Sequence, residues 1–286
     1  MLSRQFEVAR QEQLNPVASA LRNDLMLGLA FLGLVPAVGL AVAVWLASLP
    51  LRDASLADRA WGLLVAAPAV VYAWHLAAGW SAADRATWMF ALLALWALRL
   101  AAHITWRNRG HGEDRRYAAM RREHGPAFPL RSLFTVFLLQ AALAWVVSWP
   151  LLAGAAHPRG FGIWDLIGAT LALFGIVYES IADAQLARFK ADPASHGQVL
   201  RHGLWRWSRH PNYFGEACVW WGLGCMAVAG GGLPAAWALA SPILMTVLLL
   251  KVSGVSLLEQ DIAERRPGYA DYVRRTSPFI PRPPRP

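Results

Sequence analysis

Lysine is almost absent: Lys190 and Lys251 are the only two in 286 residues, so arginine carries the basic charge. Charge as a whole is scarce, at 16%, where a soluble domain carries about 25%. That shortage argues against an ordinary cytosolic globule. Together with the excess of apolar residues it also excludes a disordered chain. Two cysteines, Cys218 and Cys225, are too few for a disulfide scaffold in a chain of this length. No paired-cysteine or His-Glu-x-x-His pattern offers a metal site, and no Walker or Rossmann fingerprint follows a strand. Residues 1–24 lack an apolar run and carry Glu7, Glu12 and Asp24, so they read as a leader segment and not as a signal peptide.

What the chain has in quantity is apolar surface: 56% hydrophobic residues, a mean hydropathy of +0.34 and 15 tryptophans. An apolar run of about 20 residues crosses a bilayer as a helix. Seven such runs fall at 25–49, 61–79, 86–105, 132–153, 163–187, 212–230 and 235–257. The expected fold is therefore an all-α polytopic bundle over 25–257, followed by a polar segment over 258–286. The second run contains Pro68 and His75, which a membrane helix tolerates.

The net charge of +9 could serve nucleic acid. The arginines instead sit between apolar runs, which favours a bilayer partner over a nucleic acid. Loop 106–131, loop 188–211 and the tail from 259 are arginine-rich; the intervening connections are poor in it. The positive-inside rule then places these three segments in the cytoplasm, the N-terminus outside, and the chain in a bacterial inner membrane. Trp61, Trp80, Trp106, Trp149 and Trp164 lie near expected span ends, at headgroup level.

Four clusters carry the polar chemistry. The first is Asn108-Arg109-Gly110-His111-Gly112-Glu113-Asp114-Arg115-Arg116-Tyr117. Its glycines permit close backbone approach and its arginines can fork onto phosphate. The second runs from Arg206 through Arg209-His210-Pro211-Asn212-Tyr213 to Glu216. Pro211 suits a first helical turn, and a carboxylate just inside a membrane helix needs a partner. The third holds Lys251, Glu259, Tyr269 and Tyr272, with a short helix opened by Pro267 and an extended, unstructured Pro-Arg end. The fourth is Glu179 and Asp183, on one face of the fifth run. Inside the bundle, Arg99 and His103 share a face of the third run, and Asp58 precedes the second.

At these clusters the chain resembles the steroid 5-alpha-reductase-like superfamily, and within it a small bacterial branch. The resemblance spans about residues 55–283 and rests on Asp58-Arg59-Ala60-Trp61-Gly62, Gly112 to Tyr117, Gln185 to Lys190, Arg206 to Glu216 and Arg265 to Tyr269. It implies a membrane reductase that uses NADPH on a carbon–carbon double bond of an apolar, enone-like or steroid-like lipid. Asn108, Arg109, Asn212 and Glu216 would contact the cofactor, with Glu113, Asp114, Arg115, Glu179, Arg209, His210, Glu259, Tyr269 and Tyr272 around it. Asp183 and Lys190 match an acid and a base near the nucleotide, and Lys251 stands where steroid reductases carry an arginine. The Glu–Tyr proton donor of steroid reductases has no counterpart here. Asp58, Arg99, His103 and Tyr213 are the catalytic candidates that remain. The His-Pro-x-Tyr portion is also similar to isoprenylcysteine carboxyl and phospholipid methyltransferases. S-adenosylmethionine is therefore the alternative cofactor, and a non-catalytic lipid-binding protein is a third reading.

Overall fold

The computed structural model describes residues 16–158, 160–252 and 267–285. Its described residues form helices and no strand. Helix α1 (Pro16–Leu51) is followed by α2 (Leu56–Leu76), α3 (Arg85–Arg107) and the short polar α4 (Arg115–His124). Next come α5 (Phe128–Ser132), a π-helical segment (Leu133–Leu138), α6 (Leu139–Val147) and α7 (Trp149–Ala156). Helices α8 (Ile163–Ala191), α9 (Pro211–Gly231) and α10 (Ala240–Val247) complete the bundle, and α11 (Tyr269–Arg275) lies in the tail.

Six helical stretches among the described residues are long and apolar enough to cross a membrane, which establishes a polytopic helical bundle. Helix α9 is not one of the six, because Asn212, Glu216 and its glycines lower its apolarity. It nevertheless packs antiparallel to α8: Gly222 meets Gly168 and, nearer the start of α9, Gly215 meets Gly175. A Cβ on Gly168 would fall 2.7 Å from the carbonyl oxygen of Gly222, so only glycine permits this approach. Close backbone contact through small residues is how helices associate where water supplies no driving force.

Large apolar side chains face both ways. Trp96, Trp220, Tyr72, Phe137 and Met89 are fully buried, whereas Trp74, Leu98, Phe134 and Leu233 are exposed. Exposed apolar surface on this scale fits lipid contact.

Several boundaries depart from the sequence reading. The leader is helical over its described part, Pro16 onward, so the first span and part of the leader form one helix. Asp58 lies inside the first turn of α2, where a carboxylate suits the helix dipole, and not before the helix. The expected loop 106–131 contains α4, capped by Asp114, whose carboxylate accepts from the Arg116 backbone N–H at 2.9 Å. The fourth span begins at Phe128 and breaks at Ser148, just before the Trp149-Pro150 step, since Pro150 has no N–H to donate. The Pro-Arg end, expected to be extended and unstructured, has no regular secondary structure over 281–285 yet is docked: Arg282 N–H donates to the Trp207 carbonyl and Arg285 N–H to the Arg275 carbonyl.

Candidate functional site

Helices α3 and α8 run side by side in a fixed register. Arg85 pairs with Asp165 and Arg99 with Glu179. The step from Arg85 to Arg99 along α3 equals the step from Asp165 to Glu179 along α8, so the two pairs form parallel rungs. Each step is about four helical turns, or roughly 21 Å.

The Arg99 rung gathers further groups. Arg99 also binds Asp183 at 2.8 Å, and His103 Nε2 lies 3.7 Å from the same carboxylate. From α9, the Asn212 amide donates to Asp183 Oδ1 at 3.3 Å. Glu216 is buried, accepts a hydrogen bond from the Trp61 indole of α2, and feels the charges of Arg99 and Asp183. Tyr213 stacks on His210 with ring centroids 5.4 Å apart, within electrostatic reach of Arg107 and Arg116. Glycine contact between α8 and α9 makes this convergence possible, since Gly215 directly abuts Glu179. Beneath the carboxylates, Trp96 and Trp220 form an edge-to-face pair 5.1 Å apart.

The cluster carries more acceptors than its partners fill, and little positive charge. Glu179 Oε2 and Asn212 Oδ1 are buried without a hydrogen-bond partner, as is the Arg99 Nε donor. Three carboxylates (Glu179, Asp183 and Glu216) share one arginine. A buried polar group without a partner costs about 1–3 kcal/mol, so these acceptors suit a ligand that brings donors.

A second group clasps α4 to the start of α2. Asp58 accepts from the Tyr117 hydroxyl at 2.6 Å and from Arg116 at 2.7 Å. Glu113 accepts from Arg121 at 2.7 and 2.9 Å and from the Ala54 N–H at 2.8 Å. Burial works against the Glu113 carboxylate, but these donors outweigh it and hold its pKa below the ordinary value. Asp114 is lowered in the same manner: burial opposes, and the Arg116 N–H and guanidinium prevail.

The third group fastens the tail. Tyr272 donates to the Trp205 carbonyl at 2.5 Å, Arg209 donates to the Val273 and Thr276 carbonyls at 3.0 and 2.8 Å, and the Ser208 hydroxyl donates to the Phe279 carbonyl at 2.8 Å. The Trp205 indole in turn donates to the Ala182 carbonyl of α8 at 3.1 Å.

Of the sequence candidates, the structure brings together Arg99, His103, Glu179, Asp183, Asn212 and Glu216, with His210 and Tyr213 adjoining. It does not bring Asp58, Glu113 or Asp114 into that set; they bind α4. Arg209, Tyr269 and Tyr272 belong with the tail, where the two tyrosine rings lie 5.8 Å apart. Asn108 is half-buried and accepts from Arg107 at 3.1 Å, while Arg109, Arg115 and Lys190 are exposed. Lys251 is exposed in a π-helical turn, Leu248–Val252. Glu259 lies outside the described residues. Two clefts, of about 370 and 230 Å³, open against the tail and not between the clustered side chains. Sequence reasoning missed Trp61 as the Glu216 partner and missed the Arg85–Asp165 pair. The equal spacing of Arg85 from Arg99 and of Asp165 from Glu179 was the available signal for the latter.

Fold and site together define a polytopic helical membrane protein with a buried acidic cluster at one end of its bundle. That end also carries the arginine-rich segments. The chain belongs to the family described as "Protein of unknown function (DUF1295)", whose model matches residues 44–276. It is 27% identical over 277 residues to Uncharacterized protein C594.04c of Schizosaccharomyces pombe, covering 87% of this chain and 79% of that protein. No solved structure matches significantly.

Proposed function

We propose that the protein is a membrane-embedded, NADPH-dependent reductase of a conjugated carbon–carbon double bond in an apolar lipid, working at the cytoplasmic face. The observation that carries this reading is the convergence of Arg99, His103, Glu179, Asp183, Asn212 and Glu216 beside arginine-rich loops. The unpartnered acceptors Glu179 Oε2 and Asn212 Oδ1 fit the amine of a nicotinamide carboxamide. Arg107, Arg109 and Arg116 would meet the phosphates, for which forked guanidinium donors are suited. When bound, NADPH supplies a hydride for the β-carbon. The chain's own part is to orient the enone and to hold a proton. Tyr213 Oη or His103 would donate that proton to the α-carbon; His103 presents Nε2 to Asp183, so Nδ1 would be its donating atom. The resemblance noted above points the same way.

A second reading is methyl transfer from S-adenosylmethionine to a lipid. The excess of carboxylates over arginine at the cluster favours a cationic ligand such as a sulfonium. Thermal unfolding of the detergent-purified protein with each cofactor separates the two. Stabilisation by NADPH, lost in Glu216→Gln, is the expected result. Stabilisation by S-adenosylmethionine alone would replace the first reading with the second.

A further inference from the structure

The larger cleft is lined by Arg201, Arg206, Arg275 and Arg285, with Asp271 the one acid among them. The smaller cleft adjoins it, sharing Arg275 and Arg285 and adding Arg209, Arg274 and Arg282. Arg274 and Arg275 are partly neutralised by Asp271, at 3.1 Å each. Arg206 and Arg285 make no side-chain hydrogen bond or ion pair among the described residues.

The walls are built and not incidental. One comes from residues 201–209, fixed to the last turns of α8 by Trp205–Ala182 and by the Gln185 side-chain carbonyl, which accepts from Leu204 N–H at 2.9 Å. The other is the tail, fixed to that loop by the bonds of Tyr272, Ser208 and Arg282. The cleft therefore sits where α8 leaves the bundle. Exposed apolar side chains accompany it: Val273 lines the smaller cleft, and Trp207 follows the lining Arg206 directly in sequence.

We infer that this cleft binds the phosphodiester headgroup of an anionic membrane phospholipid. Guanidinium groups fork onto phosphate oxygens. Tryptophan and aliphatic side chains next to them suit the headgroup–acyl boundary. A free nucleotide would not call for that apolar border. The inference does not depend on the reductase reading, because the cleft lies apart from the Arg99 cluster.

The test uses the full-length protein in detergent, with dioleoylphosphatidylglycerol and dioleoylphosphatidylcholine as competing lipids and native mass spectrometry counting what stays bound. Phosphatidylglycerol is expected to be retained in preference. Arg206→Gln/Arg285→Gln should lower that retention about 25-fold, a factor of about five for each arginine near the surface. Arg122→Gln/Arg131→Gln, exposed arginines of the same end, should not change it. If the double variant fails to fold, Arg206→Gln alone should show the fivefold loss. Equal loss in both pairs would reduce the effect to general charge attraction. Displacement of the lipid by inorganic phosphate or NADPH would make the cleft a soluble-phosphate site. Either result overturns the proposal.

Discussion

The two rungs between α3 and α8 use the same chemistry to opposite ends. At one end, Arg85 is almost wholly enclosed and each of its donor nitrogens is used. It meets Asp165 at 2.5 and 2.8 Å and the carbonyls of His157 and Gly160 at 2.9 Å each. Asp165 accepts in addition from the Gly162 N–H. Charges cancel and acceptors are filled, so nothing is left for a ligand. At the other end Arg99 faces three carboxylates, and acceptor atoms stay unfilled. A closed pair fixes register; an open one, in the same register, keeps unfilled polar atoms within the bundle. The difference separates an intramembrane charge that is fully compensated, and so structural, from one whose surroundings leave capacity for a ligand.

Experiments can break that contrast. The largest effect is expected from Arg85→Ala, which leaves Asp165 buried without its cation. A loss of about 3–5 kcal/mol is typical of such a broken pair, read as a sharp fall in unfolding temperature in detergent. An unchanged temperature would show that the closed rung does not hold the helices. Next in size is Gly175→Val, which forces a side chain into the α9 backbone. Overpacking of this kind costs about 1–3 kcal/mol, and it should separate Glu216 from Arg99, visible as loss of cofactor-induced stabilisation. Glu216→Gln should alter stability by less than about 1 kcal/mol, because it relieves a surplus of like charge, while weakening NADPH binding roughly tenfold. A large destabilisation there would make the open rung structural after all.

The smallest effect concerns the α4 clasp. The pKa of Glu113 is lower folded than unfolded, so its contribution is complete above the unfolded value near 4.5. It is lost as pH falls through the lower, folded value. Hydrogen exchange in α4 should therefore rise as the medium is taken well below pH 4.5, and Glu113→Gln should remove the Glu113 share of that dependence, leaving the share of Asp114.

Much of this architecture is readable in one dimension. Long apolar runs mark the spans, Pro211 marks the start of α9, and Glu179 with Asp183 one turn on announces a shared charged face. The mixture of acids and arginines at 113–116 stands out in the sequence, and there Asp114 binds Arg116. What cannot be read is distance across the bundle. In sequence Asp58 looks like an isolated acid, because the whole of α3 separates it from its partners Arg116 and Tyr117. Arg85 looks like a loop residue, because the entire fourth span stands between it and Asp165. The tail looks loose because proline-rich sequence has no internal bonds, whereas its bonds here go to the 205–208 backbone. The glycines of α8 and α9 carry no message until the two helices are seen face to face.

The bracing of the 203–210 loop by the final residues has a practical corollary. Asn212 and Tyr213 follow directly from a loop stapled at Trp205, Trp207, Ser208 and Arg209 to residues 272–282. A deletion beginning after Arg275 removes none of the clustered side chains, yet it takes away the bonds to Thr276, Phe279 and Arg282 and leaves the strap held by Tyr272 and Val273 alone. Truncated or bulkily fused carboxyl ends should thus disturb the Asn212 and Tyr213 positions without altering either residue, and a tag placed there would weaken ligand-induced stabilisation through the strap alone.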